Sequence, residues 1–371
     1  MRYHTLFAKP LCVLALLMAR PAAAADFMFQ ADVDGKTIEG RPLAWTDHTM
    51  HLLGRDGRRH TFDPHDAKNA KKTAPNFYGY SIPEMKRLLY QEFGDTMQIT
   101  STEHYVVVHP PGASSRWAQH FEELYRRFLA YFRVRGFQFE EPKFPLVAII
   151  YPNEAEFIRQ ASEDDFTPKN ILGIYKYESN RVEMFDFMAD NPNAKWSDNA
   201  DTVIHEATHQ TAFNVGIHNR FAAPPTWLVE GLATMFEAPG VWNAQSFHTL
   251  KDRVNMTRYR DFQAGLKNRK PGTFGNLIAS DRLFESDPQA AYAEAWAMFL
   301  FLCETRPKEL ARYLQKTAAR PDFSTYFASQ RVADFAECFG SDFKQLEANF
   351  LNWMAQLKST MGKSNATEEV G

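Results

Sequence analysis

The sequence predicts an α+β protein: a small β-rich module, then a sheet-bearing region, then a long helical region. Three patterns support this. Short alternating runs around Asp34-Gly35 and Asp56-Gly57 read as strands joined by tight turns. Between Ser81 and Phe185, strand-length apolar runs alternate with amphipathic helical spacing. From His205 onward the apolar spacing is mostly helical.

In chain order, residues 1–25 read as a secretory signal. Arg2 and Lys9 supply positive charge, residues 11–19 are apolar but too short to span a bilayer, and residues 22–25 offer an A-x-A cleavage site. The expected location is therefore periplasmic or secreted, with no membrane association after cleavage. Cys12 lacks the small residues that precede a lipoprotein cysteine. Trp45, Met50 and Leu52 suit a small core for the module that starts at Asp26. Residues 63–73 are polar, carry Lys68, Lys71 and Lys72, and read as a linker. Module and linker are expected over 26–75, the main domain over 76–360, and a disordered polar tail over 361–371.

Within the main domain, Ser81 and Glu84 form a capping-box pattern for a helix that Gly94 closes. Residues 104–109 read as a strand. Trp117, Phe121, Leu124, Phe128 and Tyr131 follow helical spacing, so 115–135 is an amphipathic helix. A buried strand is expected at 146–151, then a helix at 153–160. Residues 174–177 and 181–185 pair through a turn at Glu178-Ser179-Asn180.

Composition narrows the function. A net charge of −3 over 371 residues points to neither nucleic acid nor an anionic membrane surface. Hydrophobic residues make up 44%, enough for a substantial core. Once the signal is removed, Cys303 and Cys338 remain, as one disulfide or as two buried thiols.

The chemistry concentrates in His205-Glu206-Ala207-Thr208-His209, an H-E-x-x-H pattern. Residues four apart on a helix share a face, so both imidazoles can address one ion. Glu206, at the edge of that face, is suited to take a proton from water held there. Val203, Ile204, Ala207 and Ala212 support the helix, with Asp198 or Asp201 as its cap and Gly216 as its end. Glu230 is the expected third ligand, on a second helix opening after Pro224-Pro225. Three protein ligands leave one coordination position open, which marks a catalytic rather than a structural site. Zn2+ is the expected ion. His218 and His248 are weaker candidates for the same cleft, each more in keeping with an ordinary side chain.

H-E-A-T-H followed by W-L-V-E-G-L-A-T-M-F-E resembles the gluzincin metallopeptidases, and most closely a bacterial family of peptidase MA-like proteins of unknown function. The likeness runs over about residues 80–357, with further matching stretches at 172–187, 253–260 and 292–302. It implies a zincin-like fold, with a sheet-bearing lobe, a helical lobe and the metal between them. It also implies a peptide or protein substrate that lies along an edge strand. Two further roles come with the resemblance. Glu237 matches a glutamate that hydrogen-bonds a ligating histidine. Tyr292 matches a tyrosine that stabilises the oxyanion, although Tyr292, Trp296 and Phe299 also form an ordinary helical core stripe. The chain is thus expected to be an exported zinc peptidase. The alternative is a cell-envelope binding or assembly factor with the same fold and little turnover.

Overall fold

The computed structural model describes residues 27–112, 116–162, 171–191, 193 and 196–368, with backbone only at 161–162, 189–190, 196–198, 201 and 362–368. The expected signal at 1–25 lies outside the described residues. The protein is mixed α+β, with a β-rich N-terminal region and a helical C-terminal part. It divides into two compact units: Met1–Ala113 with Pro142–Ile150 and Lys176–Arg181, and Ser114–Glu141 with Tyr151–Tyr175 and Val182–Gly371. The stretch 76–360 is therefore distributed over both.

The first unit opens with an antiparallel sheet of β1 (Met28–Val33), β2 (Lys36–Trp45), β3 (Met50–Gly54), β4 (Arg59–Phe62) and β5 (Lys68–Ala74), in the order β4-β3-β2-β1-β5. Asp34 and Gly35 both take positive φ, 51° and 74°, as a tight hairpin between β1 and β2 requires. Phe29, Ala31, Leu52 and Ala67 form the buried core of the sheet, while Trp45 is only half-buried.

The expected linker at 63–73 is instead a turn followed by β5, which pairs with β1 through Phe29↔Lys72 and Gln30↔Lys71. As an edge strand it pairs on one side only, so its lysines stay in water and discourage further pairing. Ala67 enters the core, Asn69 donates to Asp32 Oδ2 at 2.6 Å, and the Thr73 hydroxyl donates to Glu39 Oε1 at 2.6 Å.

α1 (Ile82–Phe93) has the expected capping box, with the Ser81 N–H donating to Glu84 Oε2 at 2.8 Å, and ends at Gly94. β6 (Gln98–Ser101) pairs antiparallel with β7 (Tyr105–His109), and β8 (Leu146–Tyr151) pairs parallel with β7. Every residue of β7 and β8 is buried, consistent with their continuous apolar runs.

The second unit holds α2 (Arg116–Arg133) and α3 (Glu154–Ser162). β9 (Gly173–Lys176) and β10 (Arg181–Phe185) follow as sheet neighbours, with β9 at the edge. Asn180, at φ 59°, turns the chain between them, as the expected hairpin requires. Next come α4 (Phe187–Asp190), α5 (Trp196–Asn214), α6 (Thr226–Phe236), α7 (Pro239–Trp242), α8 (Met256–Gly265), α9 (Thr273–Ala279), α10 (Arg282–Ser286) and α11 (Pro288–Thr305). α12 (Pro307–Ala318), α13 (Ala328–Phe339) and α14 (Phe343–Glu368) complete the chain.

α5 starts earlier than expected, so Asp198 and Asp201 lie inside its first turns and neither caps it. Acidic residues suit both a cap and the positive end of a helix, so composition alone could not separate the two positions. Gly216, at φ 83°, ends the helix as anticipated. α14 continues to Glu368 and Met361 is buried, so the stretch from 361 begins as helix rather than as disordered tail. Cys303 and Cys338 are free thiols, and Cys303 lies 2.9 Å from the Tyr131 hydroxyl.

α6 is the pivot of the second unit. Every residue from Trp227 to Phe236 is buried except Glu230. Phe236 packs on Phe128 of α2 with ring centroids 5.0 Å apart, and Trp227 stacks on Tyr313 of α12. α6 meets α11 at Gly231, where a Cβ would lie 2.7 Å from Ala295 O and 2.8 Å from Phe299 Cβ. Only glycine permits that approach, which sets Glu230 on α6 close to the first turns of α11. The Thr226 N–H at the start of α6 donates to Asp281 Oδ1 at 3.0 Å, and Arg331 forks onto the same carboxylate with two 2.8 Å bonds. Among the described residues, no helix is long and apolar enough to cross a membrane.

Candidate metal centre

His205 and His209 project from successive turns of α5, and Glu230 comes from α6. The two imidazole Nε2 atoms are 3.1 Å apart, and Glu230 Oε2 lies 3.4 Å from His205 Nε2 and 3.5 Å from His209 Nε2. Ligands held tetrahedrally at roughly 2.0–2.1 Å from one ion stand roughly 3.3–3.4 Å from each other. The three separations bracket that value. Glu230 Oε2 is buried and has no well-formed hydrogen bond, so it is a carboxylate oxygen in want of a cation. The donor set of two imidazoles and one carboxylate fits Zn2+ or a similar divalent ion.

The charges of these groups hold one another in place. Burial opposes ionisation of Glu230, but His209 and His205 outweigh it and hold the carboxyl well below its ordinary range. Burial also opposes a charge on His205. Its contacts with Glu230 and Glu237 overcome this and raise its proton affinity well above that of a free imidazole. A cation placed among these donors would take over the role of that proton.

His205 is oriented from behind. Its Nδ1 lies 2.7 Å from Glu237 Oε1, the contact expected for Glu237, which leaves Nε2 to face Glu230. Glu237 is itself held, because its Oε2 accepts from Asn255 Nδ2 at 2.6 Å. Asn255 Nδ2 also donates to Thr234 O at 3.0 Å, while Asn255 Oδ1 caps α8 by accepting from the N–H groups of Thr257 and Arg258. Sequence reasoning missed Asn255. The available signal was an N-cap asparagine inside the 253–260 stretch that matched the resemblance. Asn255→Ala is expected to weaken Zn2+ binding by about 10-fold or more, the usual effect of losing an outer partner of a ligating histidine. Competition titration against a chromophoric chelator measures it, and an unchanged Kd would show that Glu237 needs no such support.

Glu206 is buried on the same helix, and its carboxylate feels the charges of His205, His209 and Glu230. Burial raises its pKa, partly offset by the two histidines and by a hydrogen bond from the Tyr175 backbone N–H on β9. Gly173 presses on it from the same strand, where a Cβ would stand 3.1 Å from Glu206 Cγ. Strand β9 therefore fixes this carboxylate through a backbone donor and a missing side chain, neither of which announces itself in sequence.

Tyr292 lies near both carboxylates. Burial, then Glu230 and Glu206, raise its pKa above the ordinary phenol range. The Arg258 guanidinium lies 5.0 Å from its ring centroid, and Phe284 meets the ring edge-on. The core-stripe reading holds as well, because Trp296 and Phe299 are buried in the same helix. His218 is buried with neither ring nitrogen hydrogen-bonded, and burial followed by the charge on His209 pushes its pKa down to about 3. His248 is exposed.

Residues 199–324 match a protein family described as a protein of unknown function, DUF1570. The match contains His205, Glu206, His209, Glu230, Glu237, Asn255 and Tyr292. It meets the expected likeness to a family of unknown function over this stretch, and it carries no gluzincin assignment. No curated protein matches the chain.

Proposed function

We propose that the protein is an exported, zinc-dependent hydrolase of the gluzincin type with a zincin-like fold, acting on peptides or proteins. The reading rests on one observation: the three donor atoms of His205, His209 and Glu230 stand at tetrahedral ligand separations, with the Glu206 carboxylate beside them. Periplasmic or secreted location is part of the proposal and rests on the residue pattern of 1–25.

His205 Nε2, His209 Nε2 and Glu230 Oε2 would hold the ion. When bound, Zn2+ supplies Lewis acidity for the scissile carbonyl and lowers the pKa of water at the site. Glu206 accepts the proton of the attacking water on its carboxylate and returns it to the nitrogen of the leaving amine. Burial raises the proton affinity of Glu206, which favours acceptance of the water proton. Tyr292 donates its phenolic O–H to the carbonyl oxygen as negative charge develops there. β9 stands last in its sheet, and its outer side is where an extended substrate would add as a further strand.

A binding or assembly factor would have no use for a buried carboxylate positioned by Gly173 and the Tyr175 amide. The purified chain is expected to hold a divalent ion at this centre and to cleave members of a mixed peptide library. A chelator should stop cleavage and added Zn2+ should restore it. A metal-loaded protein that cleaves nothing, yet binds an envelope partner whether or not chelator is present, would overturn the proposal.

A further inference from the structure

The β-rich module carries a second convergence of metal-ligating side chains, far along the sequence from His205. The register brings it about. Trp45 pairs with Met50 to close the β2–β3 turn, and Met50 pairs with Phe62 at the end of β4. The turn containing His48 therefore lies beside the chain leaving Phe62, which carries Asp63 and His65.

Both segments are fixed by their own hydrogen bonds. Thr46 N–H donates to Thr49 O at 2.8 Å, and the Thr46 hydroxyl accepts from the N–H groups of His48 and Thr49. On the other side, Asp66 N–H donates to Asp63 O at 3.0 Å, and His65 N–H donates to Asp63 Oδ1 at 2.9 Å. Pro64 stiffens the turn between them.

We propose that His48, Asp63 and His65 form a surface site for a late first-row divalent cation, Cu2+ or Zn2+, separate from the His205 centre. His65 Nδ1 lies 2.7 Å from Asp63 Oδ1, and His48 Nδ1 lies 3.9 Å from Asp63 Oδ2. The two distances run to different oxygens of the Asp63 carboxylate, so each oxygen has one imidazole nitrogen on its side. One ligand atom from each of the three residues lies within 4.8 Å of the others. The two imidazole rings face each other with centroids 5.7 Å apart and planes 31° from parallel.

His48 is the informative member. A local Asp63–His65 contact within one turn needs nothing from the neighbouring turn. At 3.9 Å the His48 ring is too far to hydrogen-bond Asp63, yet it faces the pair. Two imidazoles with one carboxylate and open positions suit Cu2+ and Zn2+, with Cu2+ the tighter by the usual order of stabilities. The His48 side chain is 82% exposed and that of His65 61%, so the ion would keep water ligands and exchange freely with the medium. The reading does not depend on whether the His205 centre hydrolyses anything.

The test uses the full chain in two backgrounds, wild type and His205→Ala/His209→Ala. Calorimetric titration with Zn2+ is expected to give two ions per chain in the first and one in the second. Adding His48→Ala/His65→Ala should remove one equivalent from each, with the thermal midpoint of the metal-free protein unchanged because both side chains are exposed. His48→Ala alone should weaken Zn2+ at this site at least 10-fold. In the His205→Ala/His209→Ala background, the electron paramagnetic resonance spectrum with Cu2+ should show two nitrogen ligands, falling to one when His48→Ala is added. Zn2+ stoichiometry and Cu2+ spectra that ignore both substitutions would overturn the proposal.

Discussion

Glu206→Gln is expected to lower turnover by about 10²–10⁴-fold while leaving the metal content unchanged. The substitution keeps the shape and volume of a side chain packed beneath Gly173. It also keeps an oxygen that can accept from the Tyr175 N–H. What it removes is the proposed proton acceptor. Glu206 is buried, so bulk water cannot readily take its place. The loss should therefore fall on kcat far more than on KM. Steady-state kinetics beside metal analysis of the same preparation give the answer, and wild-type hydrolysis by the glutamine variant would mean that another group is the base.

His205→Ala should have the opposite signature, with loss of the metal itself. The residue supplies one of the three donors and is also the one Glu237 orients. Its removal leaves His209 and Glu230 as a two-donor site and strips Glu237 of its imidazole partner, although Asn255 still holds that carboxylate. An ion at 100 times its Kd stabilises the folded state by about 2.7 kcal/mol. In a His48→Ala/His65→Ala background, which removes the proposed surface site, the protein is therefore expected to melt several degrees higher with Zn2+ than with chelator, and adding His205→Ala should abolish that difference. A zinc-dependent rise in Tm that survived His205→Ala in that background would place the ion elsewhere.

The parts of the structure legible in the sequence are those fixed by side-chain identity and helical spacing. The H-E-x-x-H pattern puts two imidazoles on one face of α5, and the apolar run around Glu230 marks a buried helix with one carboxylate. The Ser81 capping box and the β9–β10 hairpin were legible for the same reason, since local residue types dictate local geometry. The failures share a different cause. β5 has no apolar alternation, because an edge strand rich in lysine pairs through its backbone and leaves its side chains in water. The Tyr175 amide that restrains Glu206 is a main-chain group, identical at almost every position. Asn255 looked like one polar residue among many until α8 and Glu237 were seen to share it.

That shared amide has a consequence for dynamics. The oxygen of Asn255 secures the first turn of α8 while its nitrogen secures the carboxylate behind His205. Binding of the proposed ion and fraying of α8 should therefore be linked through this residue. Deuterium uptake by the amides of Thr257 and Arg258 should slow when the ion is present, so a helix that contributes no ligand would report whether the centre is filled.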